Sequence, residues 1–393
     1  MRVLFVDDDP EVLASAGRAL ADEGRGWEVT LASRGPEALD AASHDQFDVI
    51  VSDLHMPDVD GLELLSQLRD RQPQAARVML AENPDQSSVI RCVAVAHQVL
   101  AKPCQAADLR ERIERAANIQ SRITNPVLRS VFAGTNALPS PSSTVLALNT
   151  ALSEPDLDLD KVSGLVGGDV AIAAKVLQLV NSSFFGLPRR VSTIREAVAY
   201  LGFNNIRGLI AAGEILDFVG NDVSEEGLLA GVQERASNVL SLAGQLAGGR
   251  THQDSDLMIG ALLHDVGILA MAALAPQMWS QVMLEVQQGT PFDEAEQSVV
   301  GVTHADIGSY LLSLWGLPYS VVEVVACHHR LPSAGHWAND AVHWVWLAHS
   351  LVIEVMPGRF TPVTLDQEMD AACLYQELQA WRAQRDALLK LTA

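Results

Sequence analysis

The 393-residue sequence predicts two folds in series, a doubly wound α/β domain with a parallel sheet and then an all-α domain. Three observations predict this. Up to about residue 117, apolar runs of three to five residues alternate with amphipathic stretches, as strands alternate with covering helices. Beyond Thr144 apolar residues recur at three and four, the pattern of an α-bundle, and helices without strands are expected there. Between the two, Asn125-Pro126, Ala133-Gly134-Thr135-Asn136 and Leu138-Pro139-Ser140-Pro141-Ser142-Ser143 are turn-forming residues of the kind that join domains.

In order, a strand at 3–6 precedes a helix at 10–21 whose Val12, Leu13, Ala16 and Leu20 share a face. A second strand at 27–31 is followed by Gly35-Pro36 and a helix at 37–42. The run Val49-Ile50-Val51-Ser52-Asp53 is a third strand, and Pro57 and Gly61 turn the chain into a helix at 61–71. Strands at 78–80 and 99–101, with helices at 87–95 and 106–117, complete five strands and five helices, and right-handed crossovers place helices on both faces. In the second half, Thr193-Ile194-Arg195-Glu196 is a capping box opening a helix that Gly202 stops. Further helices are expected at 205–218, 228–246, 256–275, 276–288, 292–315, 320–327, 339–355 and 366–391. The domains are expected at 1–120 and 144–360, with a linker at 121–143 and a helical extension at 361–393.

Composition narrows the function. Hydrophobic residues make up 48% and charged residues 19% of the chain, as in a globular protein, and aromatics at 5% leave mainly aliphatic cores. The formal net charge is −22, from 49 acids against 27 bases, which argues against direct DNA binding, a process dominated by phosphate neutralisation. Cys92, Cys104, Cys327 and Cys373 are widely spaced and read as reduced thiols. No uninterrupted apolar run approaches the length of a membrane span, and the N-terminus enters a strand directly; a cytoplasmic chain without an anchor is expected.

Two of the strands end in acid: Val3-Leu4-Phe5-Val6 runs into Asp7-Asp8-Asp9, and the third ends at Asp53. A third run, Val99-Leu100-Ala101, ends in Lys102-Pro103. In an open parallel sheet these ends share one edge, where ligands bind. Carboxylates gathered there repel one another and call for a cation, and an all-oxygen set with few dedicated donors suits Mg²⁺. Lysine offers a positive charge to phosphoryl oxygens, and an aspartate so placed is a nucleophile toward phosphorus.

Val6-Asp7-Asp8, Ser52-Asp53-Leu54-His55-Met56-Pro57-Asp58-Val59-Asp60-Gly61 and Lys102-Pro103 together resemble the receiver domain of response regulators, a flavodoxin-like fold similar to CheY. The resemblance implies that Asp53 is the phosphoacceptor and that Asp8 ligates Mg²⁺ directly. Asp7 would act mainly through water, the backbone carbonyl of His55 would complete the ligands, and Lys102 would contact the phosphoryl group. Two positions depart from the pattern. Ala81 stands where the family ends its fourth strand in Thr or Ser, and Val99 where an aromatic usually precedes the lysine by three residues, so the usual switch lacks its parts.

Leu138-Pro139, Leu179-Val180-Asn181-Ser182-Ser183-Phe184-Phe185-Gly186, Ile194-Arg195-Glu196-Ala197-Val198 and Leu201-Gly202 resemble the HDOD family, output domains related to HD hydrolases. Eight of the eleven histidines lie between His252 and His349. Leu263-His264-Asp265-Val266-Gly267 carries the dipeptide for which those hydrolases are named, and His304, His328 and His349 are further members of a relict site. Arg235 falls where the first metal ligand would stand, and a guanidinium there opposes a cation, so a second metal is not expected. After His328-His329 the chain reads Arg330-Leu331-Pro332, without the Gly-Tyr-Pro of cyclic-dinucleotide phosphodiesterases. The resemblances imply a two-component phosphorelay response regulator that takes its phosphoryl group from a histidine kinase and signals through a non-catalytic HDOD domain to a protein partner, with homodimerisation open. The alternative is a phospho-regulated metal-dependent phosphohydrolase.

Overall fold

Val3, Leu4, Phe5 and Val6 are all buried, because both faces of the strand they form are covered. That strand, β1 (Arg2–Val6), lies inside a five-stranded parallel sheet with β2 (Glu28–Ala32), β3 (Val49–Asp53), β4 (Ala76–Glu82) and β5 (Gln98–Lys102), in the order β2-β1-β3-β4-β5. The computed structural model describes residues 1–20, 26–82, 91–92, 94–120, 126–133, 138–154, 156–181, 191, 193–211, 216–218, 223–248, 254–330, 341–356 and 375–392. Helices Pro10–Leu20 and Ala106–Gln120 pack against each other, as do Gly35–His44 and Gly61–Arg71. The helix expected at 87–95 falls largely outside the described residues, as do 182–186 of the HDOD motif.

The second half is helical around a buried core. Asp169 caps helix Val170–Val180 by accepting from the Ile172 N–H at 3.0 Å, and Thr193 caps Ile194–Leu201 by accepting from Glu196 N–H at 3.1 Å. Gly202, at φ 78°, ends that helix where a side chain would be strained.

Within the stretch expected as a linker lies a helix, Pro126–Ala133, whose Leu128, Phe132 and Ala133 are buried. Several expectations in the helical half are corrected. The helical half is not free of strands: β6 (Pro139–Pro141) pairs in parallel with β7 (Leu216–Phe218), and the helix expected at 205–218 is Phe203–Ala211. The helix expected at 256–275 breaks at His264-Asp265 into Asp254–Leu263 and Val266–Leu274, where Gly267 lies against the His304 backbone and His264 Nδ1 turns back onto the Ala261 carbonyl at 2.7 Å. The helix expected at 292–315 breaks likewise into Phe292–Val299 and His304–Leu314. Gly301 takes φ 82° there, and Thr303 with Asp306 forms a capping box. The stretch Asp256–Leu274 is long and apolar enough to cross a membrane, but 78% of it is buried within the protein, as in a core helix.

The two halves share a core. Buried apolar residues run without interruption from the sheet through helix Pro126–Ala133 into the helical half, and a second cluster forms around Val239, Trp346 and Leu351. At the junction the fully buried Arg77 donates from Nε to the Val95 carbonyl at 2.8 Å and from a terminal nitrogen to the Ala133 carbonyl at 3.0 Å. Burial lowers its guanidinium to about 9, so it remains charged at neutral pH. His97 Nδ1 accepts the Arg77 backbone N–H at 2.9 Å, and its Nε2 donates to the Ala133 carbonyl at 2.8 Å. Gln178 and Gln98 add hydrogen bonds from opposite sides, to the His97 carbonyl at 3.1 Å and to the Leu314 carbonyl at 3.1 Å.

Candidate functional site

The first site is the C-terminal edge of the sheet. β1 delivers Asp7, fully buried, and the exposed Asp8; β3 delivers Asp53, 5% exposed; β5 delivers Lys102. Carboxylate oxygens of the three aspartates lie within 4.8 Å of one another. The Lys102 ammonium donates to Asp53 at 2.7 Å and to Asp7 at 2.8 Å. Burial pushes the Asp53 carboxyl up against the pull of Lys102, so this is a carboxylate with little solvent support. Burial also works against the Lys102 charge, yet the two carboxylates hold it above the ordinary ammonium value. His55 is exposed just beyond the strand. Gly61 is required by contact: a Cβ there would lie 2.0 Å from the Asp53 carbonyl oxygen, which locks the start of helix Gly61–Arg71 against the strand end. The oxygen-only donor set, one member open to solvent, fits Mg²⁺.

The register relocates one departure. Asp53 pairs with Leu80, which pairs with Leu100. Side chains alternate along a strand, so Leu80 and Lys102 share the Asp53 side of the sheet and Ala81 points to the other. Leu80, rather than Ala81, therefore faces the site, because β4 continues to Glu82 and does not end at residue 81. Neither residue has a hydroxyl to offer. Val99 is buried on the face opposite Lys102.

The second site lies in the helical half, and the fold brings together every histidine and aspartate expected there. His264 and Asp265 occupy the break before Val266–Leu274, His304 opens helix His304–Leu314, His328 follows Tyr319–Cys327 and His349 projects from Ala341–Val355; all five are fully or almost fully buried. Gly267 permits the approach, since a Cβ there would lie 1.9 Å from the His304 carbonyl oxygen. Asp265 Oδ2 accepts from Arg235 Nε at 2.5 Å and lies 3.3 Å from His264 Nε2. Its Oδ1 lies 3.5 Å from Nε2 of both His304 and His328. Burial would raise the Asp265 carboxyl, but Arg235 and His264 hold it well below the usual range. Burial likewise opposes charge on His304, yet Glu296 and Asp265 raise it to about 10; burial lowers His328 to about 4, and His329 and His349 well below their ordinary value.

Two members lie outside the five residues expected to form the site. Glu296 is buried and contacts His304 Nδ1 at 2.9 Å, and His329 Nε2 lies 2.9 Å from His304 Nε2. The His-His doublet was a visible signal for His329. Nothing in the local pattern marked Glu296, which sits eight residues before His304 across the helix break.

Comparisons with known proteins agree with both halves. Residues 3–114 match the response regulator receiver domain, and residues 138–331 match the HDOD domain. An uncharacterised protein of Treponema pallidum is 27% identical over 56% of this chain and 43% of its own length. The signal transduction histidine-protein kinase BarA of Escherichia coli K12 is 28% identical over 53% of this chain and 23% of its own. The transcriptional regulatory protein PrrA of Mycobacterium tuberculosis is 30% identical over 46% of this chain and 77% of its own. The chain thus spans less than half the length of the first two. It belongs to the response regulators, with a flavodoxin-like receiver domain followed by an all-α HDOD domain.

Proposed function

We propose that Asp53 accepts a phosphoryl group from the phosphohistidine of a histidine kinase, and that the HDOD domain passes the resulting change to a protein partner. The observation that carries this reading is the meeting of Asp7, Asp8, Asp53 and Lys102 at one sheet edge, with Lys102 bridging two carboxylates at 2.7 and 2.8 Å. An Asp53 carboxylate oxygen attacks phosphorus in line as the phosphorus–nitrogen bond to the leaving imidazole breaks, and the imidazole takes up a proton. Lys102 turns from the carboxylates to a phosphoryl oxygen. Asp7, Asp8, Asp53 and the His55 carbonyl would hold Mg²⁺, which when bound neutralises charge on the phosphoryl oxygens. The product adds about −1.5 to −2 of charge at the edge.

The HDOD half is read as an interaction module rather than a hydrolase, because Arg235 already occupies one oxygen of the Asp265 carboxylate. A chain of net charge −22 directs the output to protein rather than DNA. Acetyl phosphate with Mg²⁺ should label the protein at Asp53, and Asp53→Asn should abolish labelling; labelling that survives Asp53→Asn overturns the assignment.

A further inference from the structure

We infer that Asp265, His304, His328 and His329 form a buried site for one first-row divalent transition ion of the Zn²⁺ class. The inference goes beyond the proposed function and is independent of Asp53.

The hydrogen bonds of the rings carry the argument. His328 Nδ1 donates to the Val325 carbonyl at 2.7 Å, and His304 Nδ1 lies on the Glu296 carboxylate at 2.9 Å. With Nδ1 as donor, the ring carries its lone pair on Nε2 once that nitrogen is free of a proton, which on His304 an incoming metal ion would displace. Those Nε2 atoms converge: His304 is 3.3 Å from His328 and 2.9 Å from His329. One donor atom from each of the four residues lies within 4.8 Å of the others, and Asp265 Oδ1 is 3.5 Å from Nε2 of both His304 and His328. Bonds of about 2.0–2.1 Å at tetrahedral angles place neighbouring donors roughly 3.3 Å apart. The contacts of 2.9, 3.3 and 3.5 Å bracket that spacing. The Nε2 lone pairs of His304 and His328, 3.3 Å apart, repel unless a proton or a metal ion lies between the rings.

The carboxylate arrangement sets the count at one. Arg235 takes Asp265 Oδ2, with His264 Nε2 3.3 Å away, whereas Oδ1 accepts no hydrogen bond among the described residues and faces His304 and His328. A fully buried carboxylate oxygen in that condition is costly, and it points at the imidazoles. Thus the guanidinium that argued in the sequence against any cation blocks only one side of Asp265. Glu296 orients His304 as carboxylates orient metal-bound histidines. Imidazoles with one carboxylate suit Zn²⁺, Co²⁺ or Fe²⁺, and four protein donors close the coordination sphere, as in structural sites.

The test uses full-length Asp53→Asn protein without a histidine tag, kept in excess Mg²⁺ so that the receiver acids hold no transition ion. Chelator-treated protein reloaded with Co²⁺ should bind about one equivalent and show the intense visible absorption of a tetrahedral centre. His328→Ala and His329→Ala should each abolish that spectrum, Glu296→Gln should weaken Co²⁺ binding by about 10–100-fold, and His349→Ala should retain it. A folded parent chain that binds no Co²⁺, as expected if a proton shared by His304 and His329 fills the gap, overturns the proposal; so do two equivalents, or loss of the ion in His349→Ala alone. Should the alanine variants fail to fold, the parent spectrum and Glu296→Gln still decide.

Discussion

Asp8 is exposed whereas Asp7 is fully buried and held by Lys102, so the two acids should fail differently when removed. Asp8→Ala should lower Mg²⁺ affinity and reduce acetyl phosphate labelling at subsaturating Mg²⁺ by tenfold or more, with little change in stability. Asp7→Ala should also cost about 1–3 kcal/mol in denaturant unfolding, since it leaves a partly buried ammonium with one partner fewer. Leu80 carries a different consequence. It offers no donor to a phosphoryl oxygen, so the bond that would draw β4 inward, about 1.5–3 kcal/mol for a charge-assisted contact, is missing. That is as large as a typical allosteric coupling of about 1–3 kcal/mol. Val99, stiff at χ1, has no room-filling motion to add. Phosphorylation should therefore produce only weak hydrogen-exchange changes at 97–102 and across the junction, and Leu80→Thr should enlarge them; strong changes in the unaltered protein, unaffected by Leu80→Thr, would show the reasoning to be wrong.

At the scale of elements, β5 and helix His304–Leu314 tie the two halves. Gln98 holds the C-terminal end of that helix through the Leu314 carbonyl, and His304 at its other end stands in the histidine cluster. Arg77 and His97 pin helix Pro126–Ala133 at the same place. Burial, with Arg77 beside it, holds His97 well below its ordinary value, so the ring is neutral in the folded chain. A folded pKa below the unfolded one gives stability that is complete above the unfolded value of about 6.5 and is lost as pH falls through and below it. His97→Gln should therefore flatten the loss of stability between neutral pH and about pH 5, measured as the difference from the parent in urea unfolding. Arg77→Ala should cost about 3 kcal/mol or more, because several buried carbonyls lose a charged donor.

On the scale of the whole molecule, the continuous core makes receiver and first helices one packing unit. Calorimetry should show the receiver melting together with the adjoining helices; a receiver transition at the same temperature in the chain cut back to 1–120 would contradict this. The net charge of −22 predicts no submicromolar duplex DNA complex at physiological salt, which a fluorescence anisotropy titration checks.

The sequence by itself determined the parallel sheet, because buried strands read as continuous apolar runs and their acidic or basic ends fall at one edge whatever the details of packing. It determined most helices and the receiver acids for the same reason: each signal lies within a few residues of the group it describes. Tertiary structure alone decided the rest. Whether Leu80 or Ala81 faces Asp53 is a matter of register, since shifting by one residue swaps the face. The breaks at His264-Asp265 and at 300–303 come from contacts across the fold, Gly267 against His304 among them, and helix Pro126–Ala133 is held by Arg77 from 56 residues away. The two oxygens of Asp265 meet opposite surroundings, a guanidinium on one side and imidazole nitrogens on the other, because four separate helical segments converge there, and no local pattern in the chain encodes that convergence.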